Sequence, residues 1–261
     1  RDVLEAKIFF GEKLVASIGS EFIENNGEDR KRQEKMSAEE IKQDCETKAF
    51  TRLAGRIKKR FPRLPILLLA DSLYASKPVM DLCREYKWEF LIRYKKGSIP
   101  SIAEEYEKIP EKGKTEKAEF VNDIDYDGKS VHVLRDREEK AGETTEFQWL
   151  SSIRITKGNA EKMAETGRKR WKIENEGFNR QKNWQGSITH TCSWDDQAQK
   201  NHYLMAQISD FVKQLYEYYY LEKNGIKKKQ KNISSELLAG FGRQLTETED
   251  IPAQLNESVL N

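Results

Sequence analysis

Apolar and polar residues alternate from Val3 to Phe10 and again from Leu14 to Phe22, the period of half-buried β-strands. Gly11-Glu12-Lys13 between them predicts a hairpin loop. A polar stretch from Asn25 to Lys35 follows, and the period then lengthens. Ser37 stands three residues before Glu40, the spacing of a capping box that satisfies free amides at a helix start. Ile41, Cys45, Ala49, Leu53 and Ile57 recur every fourth residue, with Phe50 and Ala54 beside them. They predict one apolar helix face running to about Arg60. Phe61-Pro62-Arg63-Leu64-Pro65 ends that helix, and the apolar run Ile66 to Ala70 predicts a short strand buried on both faces, ending at Asp71. Ser76-Lys77-Pro78 opens a second helix with Val79, Met80, Cys83 and Tyr86 inward, and Phe90 to Tyr94 makes a further strand.

The pattern changes over residues 96–159. Asp127-Gly128 separates two alternating segments, Phe120 to Tyr126 and Ser130 to Leu134, which is a hairpin signal, and Phe147 to Ile155 adds a strand. This stretch is expected to be a β-rich insertion. Helical periodicity returns near Ala160 and runs to about Lys182. A long helix from about Gln197 to Glu222 is expected to carry Leu204, Ile208, Phe211, Leu215 and Tyr218 or Tyr219 inward. The expected organisation is an α/β core over 1–95 and 160–222, an insertion over 96–159 and a polar tail over 223–261 with a short helix around Ser235 to Phe241.

Composition narrows the class. Charged residues make up 34% of the chain, evenly mixed in sign, and the net charge is only +2, so nucleic-acid binding has to be argued from local distribution. No apolar run reaches the ~18–20 residues needed to span a bilayer, and no basic-then-apolar leader opens the chain. No membrane partner and a cytoplasmic setting are therefore expected. Cys45, Cys83 and Cys192 are odd in number and widely spaced, which fits reduced thiols rather than a disulfide framework or a zinc site. His132, His190 and His202 show no metal-ligand spacing. The first residue is Arg1 rather than Met, so the start is expected to lie upstream.

Two features could carry chemistry. Asp71 follows a short apolar strand, where open α/β sheets bind ligands, and it either presents its carboxylate there or caps the next turn. The segment from Arg168 to Trp184 places Arg170 and Glu174 four residues apart, on one helix face. From Arg168 to Lys182 six bases (Arg168, Lys169, Arg170, Lys172, Arg180 and Lys182) face two acids, Glu174 and Glu176. Such a helix suits a site that grips a phosphate backbone and a metal ion. It equally suits a solvated surface with an ordinary ion pair. Trp184 and Trp194 flank a polar stretch and are candidates either for packing or for stacking on an unpaired base.

The combination is more specific than its parts. Strand pair, helix, strand ending in Asp, helix, strand and a late helix carrying Glu is the ribonuclease-H-like order without its first strand. EFIENN, KQDCE, LLLADSLYASKP and RWKIENEGFNRQKN resemble segments of DDE transposases of the insertion sequence family four type, from about Glu21 to Tyr219. The resemblance implies a mixed sheet flanked by helices, with a β-rich insertion between the second and third catalytic carboxylates. It assigns those carboxylates to Asp71 and Glu174, which would bind two Mg²⁺ ions (Mn²⁺ can substitute), and it places Arg170 beside the phosphate. Arg168, Lys169, Lys172, Arg180 and Lys182 would contact double-stranded DNA, at transposon ends and target, and a homodimer on the DNA is compatible with it.

Two departures limit the carry-over. In the family's tyrosine-arginine-glutamate-lysine signature, Gly167 takes the tyrosine position, and the lysine is displaced to Lys182 with Gln181 in its place. The first catalytic aspartate belongs on a strand ahead of Val3, and Asp2, Asp29 and Asp44 do not fit that role. Two functions stay open, a metal-dependent transposase core and an inactive remnant that only binds DNA. A different Mg²⁺-dependent phosphoryl enzyme with Asp at a strand end is disfavoured by the Arg–Glu helix, by the β insertion and by the lack of an Asp-x-Asp pair at Asp71, which is followed by Ser72 and Leu73.

Overall fold

In the computed structural model of the protein, the first two alternating segments form a hairpin, β1 (Val3–Phe10) with β2 (Leu14–Phe22), paired only with each other among the described residues. The structure describes residues 2–11, 14–23, 38–95, 97–140, 143–185, 188 and 193–244. The expected loop residues Glu12 and Lys13, the polar stretch Asn25 to Lys35 and the cap Ser37 lie outside them. Two units divide the chain: Arg1–Ile8 with Ser17–Glu174, and Phe9–Ala16 with Asn175–Asn261.

In the first unit the four-residue apolar repeat becomes α1 (Ala38–Arg60), which buries Cys45, Ala49, Phe50, Leu53, Ala54 and Ile57 along one face. Lys58, Lys59 and Arg60 fill its last turn, where cations complement the helix dipole. β3 (Leu67–Ala70) and β4 (Glu89–Arg93) then run parallel, joined through α2 (Lys77–Glu85), whose Val79, Met80 and Cys83 are fully buried. After α3 (Pro100–Lys108) come β5 (Gly113–Lys114), β6 (Ala118–Tyr126), β7 (Lys129–Lys140) and β8 (Glu143–Ser151). Together they make one mixed six-stranded sheet in the order β3-β4-β8-β7-β6-β5. Asp127 (φ 56°) and Gly128 (φ 72°) both adopt positive φ, as the tight turn between β6 and β7 requires.

Two expectations change here. The β-rich stretch 96–159 does not make a sheet of its own: β8 pairs antiparallel with β4, with Ile92 opposite Leu150 and Arg93 opposite Trp149. The reason is a shared core, because Val131, Val133 and Leu150 pack in the same cluster as Phe90 and Ile92. Nor is β3 buried on both faces. It is the sheet's edge strand, and Leu67 is 37% exposed.

Strand alternation sorts the core into two layers. Phe90 and Ile92 of β4 face the cluster that includes α1, α2 and α3 residues. Leu91 faces the other cluster, with Phe147, Trp149 and Ala160, Met163 and Ala164 of α4 (Ala160–Arg168). The helix expected to run unbroken to Lys182 stops at Arg168, and the backbone then widens into π-helical turns at Ile173–Phe178 and Gln181–Gln185. Such turns are concentrated at functional sites.

The second unit contains α5 (Asp196–Leu215), continued by a π-helical segment Tyr216–Glu222, and α6 (Gln230–Gln244). The expected inward stripe of the long helix is only half-buried at Phe211 and Leu215, and it is not the face that the fold buries. Leu204, Ile208 and Tyr219 are exposed, at 41%, 58% and 53%, whereas Gln207, Asp210, Lys213 and Gln214 are buried. The polar face can be buried because its groups satisfy one another. Gln181 and Gln207 exchange amide hydrogen bonds at 2.9 and 3.0 Å. Gln214 donates to Asp210 at 3.0 Å, and Lys213 donates to Ser234 at 2.7 Å. Among the described residues no helix is long and apolar enough to cross a membrane.

Candidate active site

Asp71 stands one residue beyond β3, still in extended backbone (φ −82°, ψ 179°). Leu69 packs against the α4-side cluster, so alternation puts Asp71, two residues on, on that same face of the sheet. Its Oδ1 accepts the Leu73 amide at 3.0 Å and caps the short 3₁₀ turn Ser72–Tyr74. The capping role is therefore real, and it uses one carboxylate oxygen. Tyr74 donates its hydroxyl to Glu46 Oε2 at 3.1 Å. Burial, then Glu46 and then Asp71, raises the Tyr74 pKa above its ordinary value, so the phenol keeps its proton.

On the neighbouring strand Arg93 occupies the corresponding place. Ala70 is in register with Ile92, so Asp71 and Arg93 each lie one step further, at the carboxyl edge of adjacent parallel strands. Arg93 shares the face of Leu91, and its guanidinium lies 4.5 Å from the Phe147 ring and 5.6 Å from Trp149. Burial lowers its pKa, and the nearby Arg170 guanidinium adds to that effect. Arg170 in turn pairs with Glu174, Nη1 to Oε1 at 2.8 Å, as their four-residue spacing led one to expect. Glu174 remains 57% exposed at its side chain while Arg170 is mostly covered. Asp71 and Arg93 are thus neighbours in the strand register, Arg170 lies near Arg93, and Glu174 is held by Arg170. Arg93 went unnoticed in the sequence, although a cation closing an apolar strand beside a strand-end Asp was the available signal.

The other cationic residues divide. Arg168 makes an ion pair with the buried Asp136, and its guanidinium lies 5.7 Å from Phe147. Arg180 is engaged by Glu217 at 3.1 Å and Asp210 at 3.6 Å, within the second unit. Both were expected to face DNA, and both are held by carboxylates of this chain. Lys169 and Lys172 are half-buried, and Lys182 is exposed. Gln181, in the signature lysine's position, is fully buried between Gln207 and Asp210. Gly167, in the tyrosine position, packs directly under Trp149, and a Cβ there would run into the indole. Trp171 is half exposed and sets its edge against Phe147. Trp194 is 96% exposed, and the Trp184 side chain lies outside the described residues.

The remaining candidates are structural. His132 is buried, its Nδ1 accepts the Asp123 amide at 3.1 Å, and burial holds its pKa below the ordinary value. Cys45 and Cys83 are buried thiols outside any disulfide, and burial pushes Cys83 up to about 12, which leaves it unreactive. His190, Cys192 and Asp29 lie outside the described residues. Among the described residues no three His, Cys, Asp or Glu side chains come together as a metal-ligand set.

The family profile described as the transposase DDE domain matches residues 43–207. The chain belongs to that family. The match spans Asp71, Arg93, Arg170 and Glu174. No curated protein matches the sequence. Among solved structures, the chain is similar to the piggyBac transposase in a cryo-EM synaptic complex with hairpin DNA. That similarity has a TM-score of 0.45 at 13% identity and covers 99% of this chain and 56% of the other. This chain therefore spans little more than half the length of that transposase.

Proposed function

We propose that this chain is the catalytic core of a DNA transposase of the insertion sequence family four type, acting on double-stranded DNA at the ends of its element and at the target. The reading is supported above all by the family match over residues 43–207, together with Asp71 at the carboxyl end of β3, in register beside Arg93, and the Arg170–Glu174 ion pair. Two carboxylates offer the hard oxygen donors that Mg²⁺ or Mn²⁺ prefers, but they are an incomplete set. In the proposal the set is completed by a further carboxylate on a strand paired along the edge of β3, which has no partner there among the described residues. Bound ions would activate the attacking hydroxyl and stabilise the leaving 3′-oxygen in an in-line displacement. The chain's own residues do the positioning. Asp71 is fixed by its cap to Leu73, Arg170 holds Glu174 in place and lends positive charge to a phosphate, and Lys169, Lys172 and Lys182 contact the DNA backbone. A homodimer on the DNA is compatible with this arrangement.

One observation favours a second reading, a remnant that binds DNA without cutting it: among the described residues no three His, Cys, Asp or Glu side chains come together as a metal-ligand set. The deciding experiment is Mg²⁺-dependent cleavage of DNA carrying the element's ends. It compares this chain with a version extended by the coding sequence upstream. Cleavage by the extended version, abolished by Asp71→Asn and by Glu174→Gln, is the expected result. DNA binding by both versions with no cleavage by either supports the remnant. Cleavage that survives both substitutions overturns the site.

A further inference from the structure

The candidate site has a cation with no anionic partner. Arg93 lies over the Phe147 and Trp149 rings, and its Nη1 is shielded from solvent with no hydrogen-bond acceptor. Its Nη2 reaches only the Glu146 carbonyl, at 3.4 Å. Among the described residues no carboxylate forms an ion pair with it, in contrast to Arg168, Arg170 and Arg180. The nearby Arg170 guanidinium repels it. A covered charge of this kind is unfavourable on its own, and a structure that keeps one needs something to answer it. The aromatic rings supply part of that answer and hold the guanidinium against them. They supply no acceptor.

We propose that Arg93 and Arg170 form a two-arginine clamp for a phosphodiester group of bound DNA, next to Asp71 and Glu174. The register of β3 and β4 sets Arg93 beside Asp71, and Arg170 stands one helical turn before Glu174. A phosphate seated there offers two non-bridging oxygens to two planar forks, removes the repulsion between the cations and gives Arg93 Nη1 its missing acceptor. Phe147 and Trp149 hold one fork still before the DNA arrives, so little side-chain freedom is lost on binding. Arg170 keeps its bond to Glu174 through one nitrogen while its other donors turn to the phosphate.

This inference rests on the reading of the chain as a DNA-binding transposase core, and the test separates the two. Binding of a fluorescent duplex oligonucleotide to the full chain is measured by anisotropy over a range of salt concentrations. Arg93→Gln is expected to weaken binding about tenfold at low salt and to lower the slope of log K against log salt by about one. Arg93→Lys keeps the charge, so the slope is retained while affinity still falls, because the ammonium cannot replace the fork. That variant also covers the case in which Arg93→Gln fails to fold. Arg63→Gln, an exposed position before the opposite end of β3, is expected to leave the slope unchanged. Equal losses for Arg63→Gln and Arg93→Gln would mean general charge loss and overturn the clamp. So would parental affinity in a folded Arg93→Lys variant. Absence of duplex binding by the parent chain overturns the clamp together with the functional reading, whereas binding insensitive to Arg93 overturns the clamp alone.

Discussion

Gly167→Ala is the substitution whose sign the structure fixes most sharply. An exposed helical glycine gains about 1 kcal/mol on becoming alanine. Here the added Cβ would stand 2.6 Å from Cε2 and 3.0 Å from Cδ1 of the Trp149 indole. That ring cannot swing aside: it is 2% exposed, stacked on Phe147 at a centroid distance of 6.0 Å, and covered by Arg93. Overpacking a full core costs about 1–3 kcal/mol, and a rigid neighbour puts this case at the upper end. Subtracting the helix gain leaves a net loss of about 2 kcal/mol, or a fall in Tm of about 4–8 °C for a unit of this size. Thermal unfolding followed by near-ultraviolet circular dichroism reports on the tryptophan directly. In a Trp149→Ala background the obstacle is gone, and Gly167→Ala should then stabilise by about 1 kcal/mol. Destabilisation of similar size in both backgrounds would refute the reasoning, as would a neutral effect in the parent. The same geometry says that the signature tyrosine cannot stand at position 167 while Trp149 keeps its place.

Three further outcomes are expected. His132 has its pKa held below the ordinary 6.5 by burial, so its neutral form is the one the fold accepts. Stability should be complete above that value and fall as pH drops below it towards the folded pKa, and urea titrations of His132→Gln should lack this slope. Gln214 accepts the Val15 amide at 2.8 Å and donates to the Val15 carbonyl at 3.0 Å; Gln214→Ala leaves that amide unsatisfied at a cost of about 1–3 kcal/mol. Hydrogen exchange at Val15 should accelerate, and an unchanged rate would count against the contact. Asp71→Asn keeps a good capping side chain, so stability should shift by less than about 0.5 kcal/mol, while Mn²⁺ binding read by electron paramagnetic resonance weakens. Loss of stability with metal binding intact would reduce Asp71 to its cap.

Local regularities were legible in the sequence, and long-range partnerships were not. The four-residue repeat of α1 and the Asp127–Gly128 turn are written in a few neighbouring residues, and the structure follows them. Asp71 was visible as the polar end of an apolar run. What joins β8 to β4 is a match between Leu150 and Ile92, 58 positions apart, and no local pattern carries it. Arg93 escaped notice for the same reason, since its character comes from Phe147 and Trp149 rather than from its own neighbours.

The long helix failed differently, and its failure explains a departure from the family signature. Apolar periodicity marks a buried face only when the interior is apolar. In the second unit Asp210 accepts from Gln181 at 3.3 Å and from Gln214 at 3.0 Å and lies 3.6 Å from the Arg180 Nε. One buried carboxylate is thereby matched by one guanidinium and two amides. A lysine at position 181 would bring a second charge into a place already neutralised by Arg180, with no acceptor in proportion. Glutamine instead gives and takes a hydrogen bond with Gln207 and stays neutral. The exposed cation therefore falls one residue later, at Lys182. Gln181→Lys is accordingly a substitution that restores the signature and harms the fold. It should destabilise the second unit, and pairing it with Gln207→Glu, which supplies a compensating carboxylate, should recover part of the loss.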